Sequence, residues 1–219
     1  MNITSFRVVD DPARVGAEEL AGLVSDTQPC TLALSRGAEM IRLLARFPLP
    51  WPDTDVFQVD ERAAPDGSED RNYTAMVREL RGARLHPMPV EGDLESGAAS
   101  YGSLLEEICG SPPVVDVVHL GLGPDGHTAS LVPGDPILEV RDRPVAATGV
   151  YQGYRRMTLT YPVLDAARYV VIVAAGAEKA RSVAAVLDGQ AWAPAARLGS
   201  ADVRLIVDAD AAAGRKNRL

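Results

Sequence analysis

Cysteine is scarce in this 219-residue chain: there are two, Cys30 and Cys109, in unrelated contexts. No CxxC pair and no Cys/His cluster has zinc-ligand spacing, so neither a disulfide framework nor a structural zinc site is expected. Basic charge is also in deficit. Against 30 acidic residues stand 22 lysines and arginines, a net charge of −8. Nucleic-acid binding needs a basic footprint, and this balance argues against it. No apolar run approaches the ~18–20 residues of a membrane span. The opening MNITSFRVVDDPARV holds no apolar h-region, so no secretory signal and no membrane association are expected, and the cytoplasm is the expected compartment. Internal repeats and low-complexity linkers are missing as well, and the length suits one domain over residues 1–219. Oligomeric state is not legible.

What remains is a chain that is 47% apolar, enough for a sizeable core. Apolar runs alternate with amphipathic stretches. Helices are expected over residues 12–25, with Pro12 just inside the start, and over 38–45, 71–81, 96–109 and 177–187. Strands are expected over 31–34, 56–59, 114–120, 143–148, 156–161, 169–175 and 203–207, with 86–90 extended because of its prolines. A short Ala-rich helix precedes a basic tail, Arg215–Arg218. The near-continuous apolar run at 114–120 marks a parallel strand covered on both faces. This alternation predicts βαβ units and an α/β fold with a mainly parallel sheet.

Polar clusters fall just after several of these strands, where open α/β sheets place ligands. Gly121, Gly123 and Gly126 interrupt the run His119-Leu120-Gly121-Leu122-Gly123-Pro124-Asp125-Gly126-His127-Thr128-Ala129-Ser130-Leu131-Val132-Pro133, where the backbone can turn tightly and a ligand can come close. Asp125 and His127 put a carboxylate and an imidazole in that loop. Ser35-Arg36-Gly37 joins a strand to a helix N-terminus, a geometry that suits phosphate. Arg62, in Asp60-Glu61-Arg62, can hold an anion bidentately. Arg156 sits in Arg156-Met157-Thr158-Leu159-Thr160. Arg155 is less suitable, because neighbours on a strand face opposite ways. Lys179 follows Gly176 at a helix start. Gly121-Leu122-Gly123 formally continues into a GxGxxG string, but Pro133 and Gly134 interrupt the helix that a dinucleotide site requires.

The string LGLGPDGHTASLVP resembles the signature of the 6-phosphogluconolactonase family, LGxGxDGHxASLFP, with Val132 in place of Phe. Asp60-Glu61-Arg62 with Asn72-Tyr73 is similar to the family's DER…SNY segment, residues 156–160 to its RxTLT strand, and residues 176–179 to its GxxK turn. The resemblance runs in order from about residue 30 to residue 212. It implies a Rossmann-like fold shared with glucosamine-6-phosphate and ribose-5-phosphate isomerases. It also implies hydrolysis of the δ-lactone of 6-phosphogluconate in the oxidative pentose phosphate pathway, with no organic cofactor and no metal. On that reading His127 is the general base, Asp125 orients its loop or ring, and backbone N–H groups of the Gly-rich loop, Gly123 among them, steady the oxyanion. Asp60 and Arg62 position the sugar, while Arg156, Lys179 and the Ser35–Gly37 loop bind phosphate.

One segment departs from the family. Where relatives read LSGGSTP, this chain reads Leu34-Ser35-Arg36-Gly37-Ala38-Glu39-Met40. A glutamate facing a phosphate would raise KM, and Glu39→Ser would then lower it; Arg36 and Arg71 are the candidates to offset the charge. Two rivals stand beside the lactonase. An amino-sugar-6-phosphate isomerase or deaminase usually carries DGHIxFNEP, but here DGHTASLVP has no Glu. A non-catalytic sugar-phosphate sensor would draw support from the altered loop alone.

Overall fold

The computed structural model describes residues 3–214, so the tail Arg215–Arg218 lies outside the described residues. Seven strands form one parallel sheet: β1 (Ile3–Val8), β2 (Cys30–Leu34), β3 (Thr54–Gln58), β5 (Arg84–His86), β6 (Val117–Gly121), β9 (Tyr169–Ala174) and β10 (Val203–Val207). Their order is β1-β10-β9-β6-β2-β3-β5. A second, antiparallel sheet holds β4 (Asp60–Arg62), β7 (Val145–Tyr151) and β8 (Tyr154–Leu159), in the order β4-β8-β7. The expected parallel α/β architecture is present; the small sheet is an addition to it.

Side-chain alternation gives the parallel sheet two buried faces. Leu32, Leu34, Val56, Val117 and Val171 face α1 (Pro12–Asp26), α2 (Ala38–Leu44) and α3 (Asn72–Glu79). Ala33, Phe57, Val118, Leu120 and Ile172 face α4 (Leu94–Cys109), α5 (Tyr161–Ala166), α6 (Ala180–Leu187), α7 (Ala209–Ala212) and the small sheet. Local signals set the helix starts. Asp11 accepts from Arg14 N ahead of α1, and Asp93 accepts from Ser96 N ahead of α4, which therefore begins two residues earlier than its periodicity suggests.

Other boundaries move for tertiary reasons. β6 starts at Val117, because the Asp116 carboxylate turns aside to accept from the backbone and hydroxyl of Thr31. The expected strands 143–148 and 156–161 become β7 and β8, slid toward a shared turn. The extended 86–90 segment contributes only its first residue to a strand, β5. Residues 177–187 split into a 3-10 turn (Ala177–Lys179) and α6.

Gly37 stands over His119 on β6, whose ring is buried and whose Nδ1 has no hydrogen-bond partner. Burial lowers its pKa from 6.5 to about 3. The native ring therefore stays neutral where the unfolded chain takes up a proton. Stability from this source is complete above about pH 6.5 and is lost progressively as pH falls toward 3. Below pH 6, wild type is expected to lose about 1.4 kcal/mol per pH unit relative to His119→Leu. Urea unfolding of both proteins from pH 7 to 4 checks this, and parallel curves would refute it.

Candidate active site

The carboxyl ends of β2 and β6 lie side by side, and the loops leaving them are cross-linked. Ser35 N donates to His119 O at 3.2 Å, and Gly121 N donates to Ser35 Oγ at 3.1 Å. At Val59 the chain leaves the parallel sheet for the small one: Val59 N donates to Leu34 O, and Val59 O accepts from Leu159 N. This crossing carries β4 over the strand ends. Pairing with β8 then sets the faces. Asp60 opposes Thr158 and Arg62 opposes Arg156, so these side chains share the face toward the cavity. Glu61 opposes Met157 on the inner face.

The result is a cavity of about 330 Å³ lined by Ser35, Arg36, Asp60, Arg62, Asn72, residues 121–124, His127, Ala129, Gln152, Arg156 and Lys179. Four cations, Arg36, Arg62, Arg156 and Lys179, surround one carboxylate, Asp60, within an acidic chain. Such a site is built for an anion.

The catalytic candidates meet in the loop after β6. His127 Nδ1 lies 2.6 Å from Asp125 Oδ1. Burial works to raise the Asp125 carboxyl, but hydrogen bonds from Tyr151 and His127 outweigh it and hold the group below the usual range. An ionised carboxylate only accepts, so Nδ1 carries the proton in this bond and Nε2 is the nitrogen left to exchange one. The loop is shaped for this pair. A Cβ on Gly123 would stand 2.1 Å from His127 Nδ1, and one on Gly126, at φ +91°, 2.5 Å from Trp192.

Asp60 is buried. Its Oδ2 accepts from Ser130 Oγ at 2.6 Å, its Oδ1 accepts from Asn72 Nδ2 at 3.1 Å, and Arg156 Nη1 lies 3.8 Å away. Burial raises its pKa, against Ser130 and Arg156. Burial also lowers the pKa of Arg156, which leaves its Nε without a partner. Asn72 Oδ1 is unpartnered too. Lys179 is presented by a turn whose Gly176 N–H is held by Asp208 Oδ2 at 2.9 Å.

The family model for glucosamine-6-phosphate isomerases/6-phosphogluconolactonase matches residues 5–207. The chain belongs to this family. A 6-phosphogluconolactonase of Synechocystis sp. is 37% identical over 180 residues, covering 76% of this chain and 72% of the relative. A solved 6-phosphogluconolactonase of Trypanosoma brucei superposes with a TM-score of 0.80 at 23% identity, covering 95% of this chain and 97% of its own. A monomeric glucosamine-6-phosphate deaminase also superposes at 0.80, with 19% identity and 97% and 100% coverage. Both structures share the fold of this chain.

Within this family frame, most expected site residues gather at one cavity: His127, Asp60, Ser35, Arg36, Arg62, Gly123, Arg156 and Lys179 line it. Asp125 stands behind His127, and Gly37 sits just below the loop, over His119. Arg71 is the exception. Its guanidinium turns inward to Glu61 (3.2 Å) and Glu91 (2.8 Å), and it does not line the cavity. Glu39 also corrects an expectation. Its carboxylate is 72% exposed, with Arg42 at 4.0 Å, and lies outside the cavity lining, so a gain in affinity from Glu39→Ser loses its premise. The glycine N–H groups expected at an oxyanion are engaged elsewhere: Gly121 N with Ser35, Gly123 N with His127 O and Gly126 N with Gly123 O. Sequence reasoning missed Gln152 and Tyr151, which reach the site from the β7–β8 turn.

Proposed function

We propose that this chain hydrolyses 6-phospho-D-glucono-1,5-lactone to 6-phosphogluconate, a step of the oxidative pentose phosphate pathway, in the cytoplasm. The observation that carries the reading is the Asp125-oriented His127 at a cavity ringed by four cations. The 37% identical relative bearing the 6-phosphogluconolactonase name supports the substrate.

His127 Nε2 takes a proton from water as its oxygen attacks the lactone carbonyl carbon. Arg62, beside the sugar, also meets the charge that develops on the carbonyl oxygen. Collapse of the tetrahedral species breaks the bond to the ring oxygen, which receives the proton back from the His127 imidazolium. The new carboxylic acid ionises, so each turnover releases one proton to solution. Asp60 and Arg62 position the sugar hydroxyls. Arg156, with its unpartnered Nε, and Lys179 hold the phosphate together with Ser35 and Arg36.

The test is proton release from freshly generated 6-phosphogluconolactone. Wild type is expected to accelerate it, and His127→Ala to lose ~10²–10⁴ in kcat with the fold retained. An unaccelerated rate in wild type would overturn the activity. A near-normal rate in the variant would remove His127 from the chemistry.

A further inference from the structure

The β7–β8 hairpin contains an irregularity. Val145, Ala146 and Ala147 pair with Leu159, Thr158 and Met157, but nearer the tip Val150 pairs with Arg155 and Tyr151 with Tyr154. Three steps along β7 therefore match two along β8, a β-bulge with one extra residue. In an unbroken strand Ala147 and Tyr151 would point to the same side. The extra residue reverses this. Ala147 shares the Met157 face, while Tyr151 shares the face of Tyr154 and Arg156, toward the cavity. The turn itself places Gln152 at φ +50° and Gly153 at φ +85°, both left-handed, as a type I′ hairpin turn requires.

Delivered this way, the Tyr151 ring lies edge-on to His127, with centroids 5.1 Å apart, and beneath the Arg156 guanidinium at 4.9 Å. Its hydroxyl donates to Asp125 Oδ2 at 2.7 Å and lies 3.1 Å from His127 Nδ1. Gln152 Nε2 donates to the Tyr151 oxygen at 3.0 Å, and Gln152 Oε1 accepts from Arg156 Nη2 at 3.2 Å. An unbroken chain of contacts thus runs Arg156–Gln152–Tyr151–Asp125–His127.

Resting on the lactonase reading, we propose that Tyr151 is a positioning residue for the Asp125–His127 pair, with Gln152 tying it to the anion-binding Arg156. Asp125 sits in an exposed loop, its side chain 42% accessible, and the imidazole and His127 N (3.3 Å) both hold the same oxygen, Oδ1, so the carboxylate can still turn about it. Tyr151 takes the second oxygen and fixes the plane, so Nε2 points at one place in the cavity. Burial and the neighbouring Asp125 raise the phenol to about 12, so it remains a donor at neutral pH. The charged groups around the pair are Arg36 after β2, Asp60 and Arg62 on β4, Arg156 on β8, Lys179 after β9 and Arg181 on α6, stacked over Trp192. All of them persist when the hydroxyl alone is removed.

Tyr151→Phe keeps the ring and its packing and deletes the hydroxyl. Turnover of the lactone is expected to fall about tenfold in kcat, with KM within about twofold and an unchanged unfolding midpoint. In parallel, ¹³C NMR of the Asp125 carboxyl is expected to show its titration moved to higher pH, since a donor to the ionised form is lost. The NMR readout needs no turnover. Inactive wild type would overturn the lactonase reading, and the carboxyl titration would still decide whether Tyr151 acts on Asp125. Wild-type kcat in the variant, with or without an NMR shift, overturns the proposal. Lowered kcat with an unmoved Asp125 titration overturns it too, because the hydroxyl would then act on substrate directly.

Discussion

Gly123→Ala is expected to lower kcat about a thousandfold while the protein remains folded. The added methyl would lie 2.1 Å from His127 Nδ1, 2.3 Å from its Cε1 and 2.5 Å from Asp125 Oδ1. Contacts this short cannot exist, so something must move. The colliding atoms are the ends of two partly exposed side chains on a surface loop, and these rotate away at little cost to the core. The loss falls on the geometry that chemistry requires, because a general base must sit within hydrogen-bond reach of the proton it takes. Paired measurements of kcat and thermal unfolding check this. A variant that is active, or that is inactive only because it has unfolded, would contradict it.

Glu61→Ala is expected to cost about 3–5 kcal/mol of stability, the usual range for breaking a buried, hydrogen-bonded ion pair. Glu61 is fully buried, yet its carboxylate is surrounded by donors. Oε1 accepts from the backbone N–H of Arg62 and Asn72, each at 2.8 Å, and Oε2 accepts from Tyr73 N at 2.9 Å and Gln58 Nε2 at 2.7 Å. Arg71 Nε lies 3.2 Å from Oε2. α3 has no side-chain cap of its own, and this carboxylate from β4 caps it. Truncation leaves the first N–H groups of α3 and the buried Arg71 guanidinium short of an acceptor. The unfolding midpoint should drop by roughly 6–20 °C for a protein of this size. A drop below about 3 °C would show that water or Glu91 replaces the lost contacts.

The same residues show what the sequence could convey. The parallel sheet was legible because its strands are apolar on both faces and alternate with helices. β1 was not, since at the sheet edge its Thr4, Ser5 and Arg7 break any apolar run. The site at the ends of β2 and β6 was legible from the glycine loop and the cationic clusters. The small sheet was hidden: residues 56–59 read as one strand with Asp60-Glu61-Arg62 at its end, and only the long-range bonds at Val59 separate β3 from β4. Arg71 was misplaced for a related reason. Its direction is set by Glu61, ten residues away in sequence and buried beneath it. Tyr151 escaped notice because a bulge overrides the alternation by which strand faces are assigned.

That bulge has an evolutionary consequence. One end of β7 is committed to the core through Val145 and Ala147, and the other to the cavity through Tyr151. The two commitments agree only because one residue is left over between them. Substitutions along the hairpin can therefore be absorbed one at a time, whereas a single-codon deletion near Thr148–Gly149 sets the two ends against each other. Descendants of this chain should drift freely in the composition of the hairpin and very little in its length.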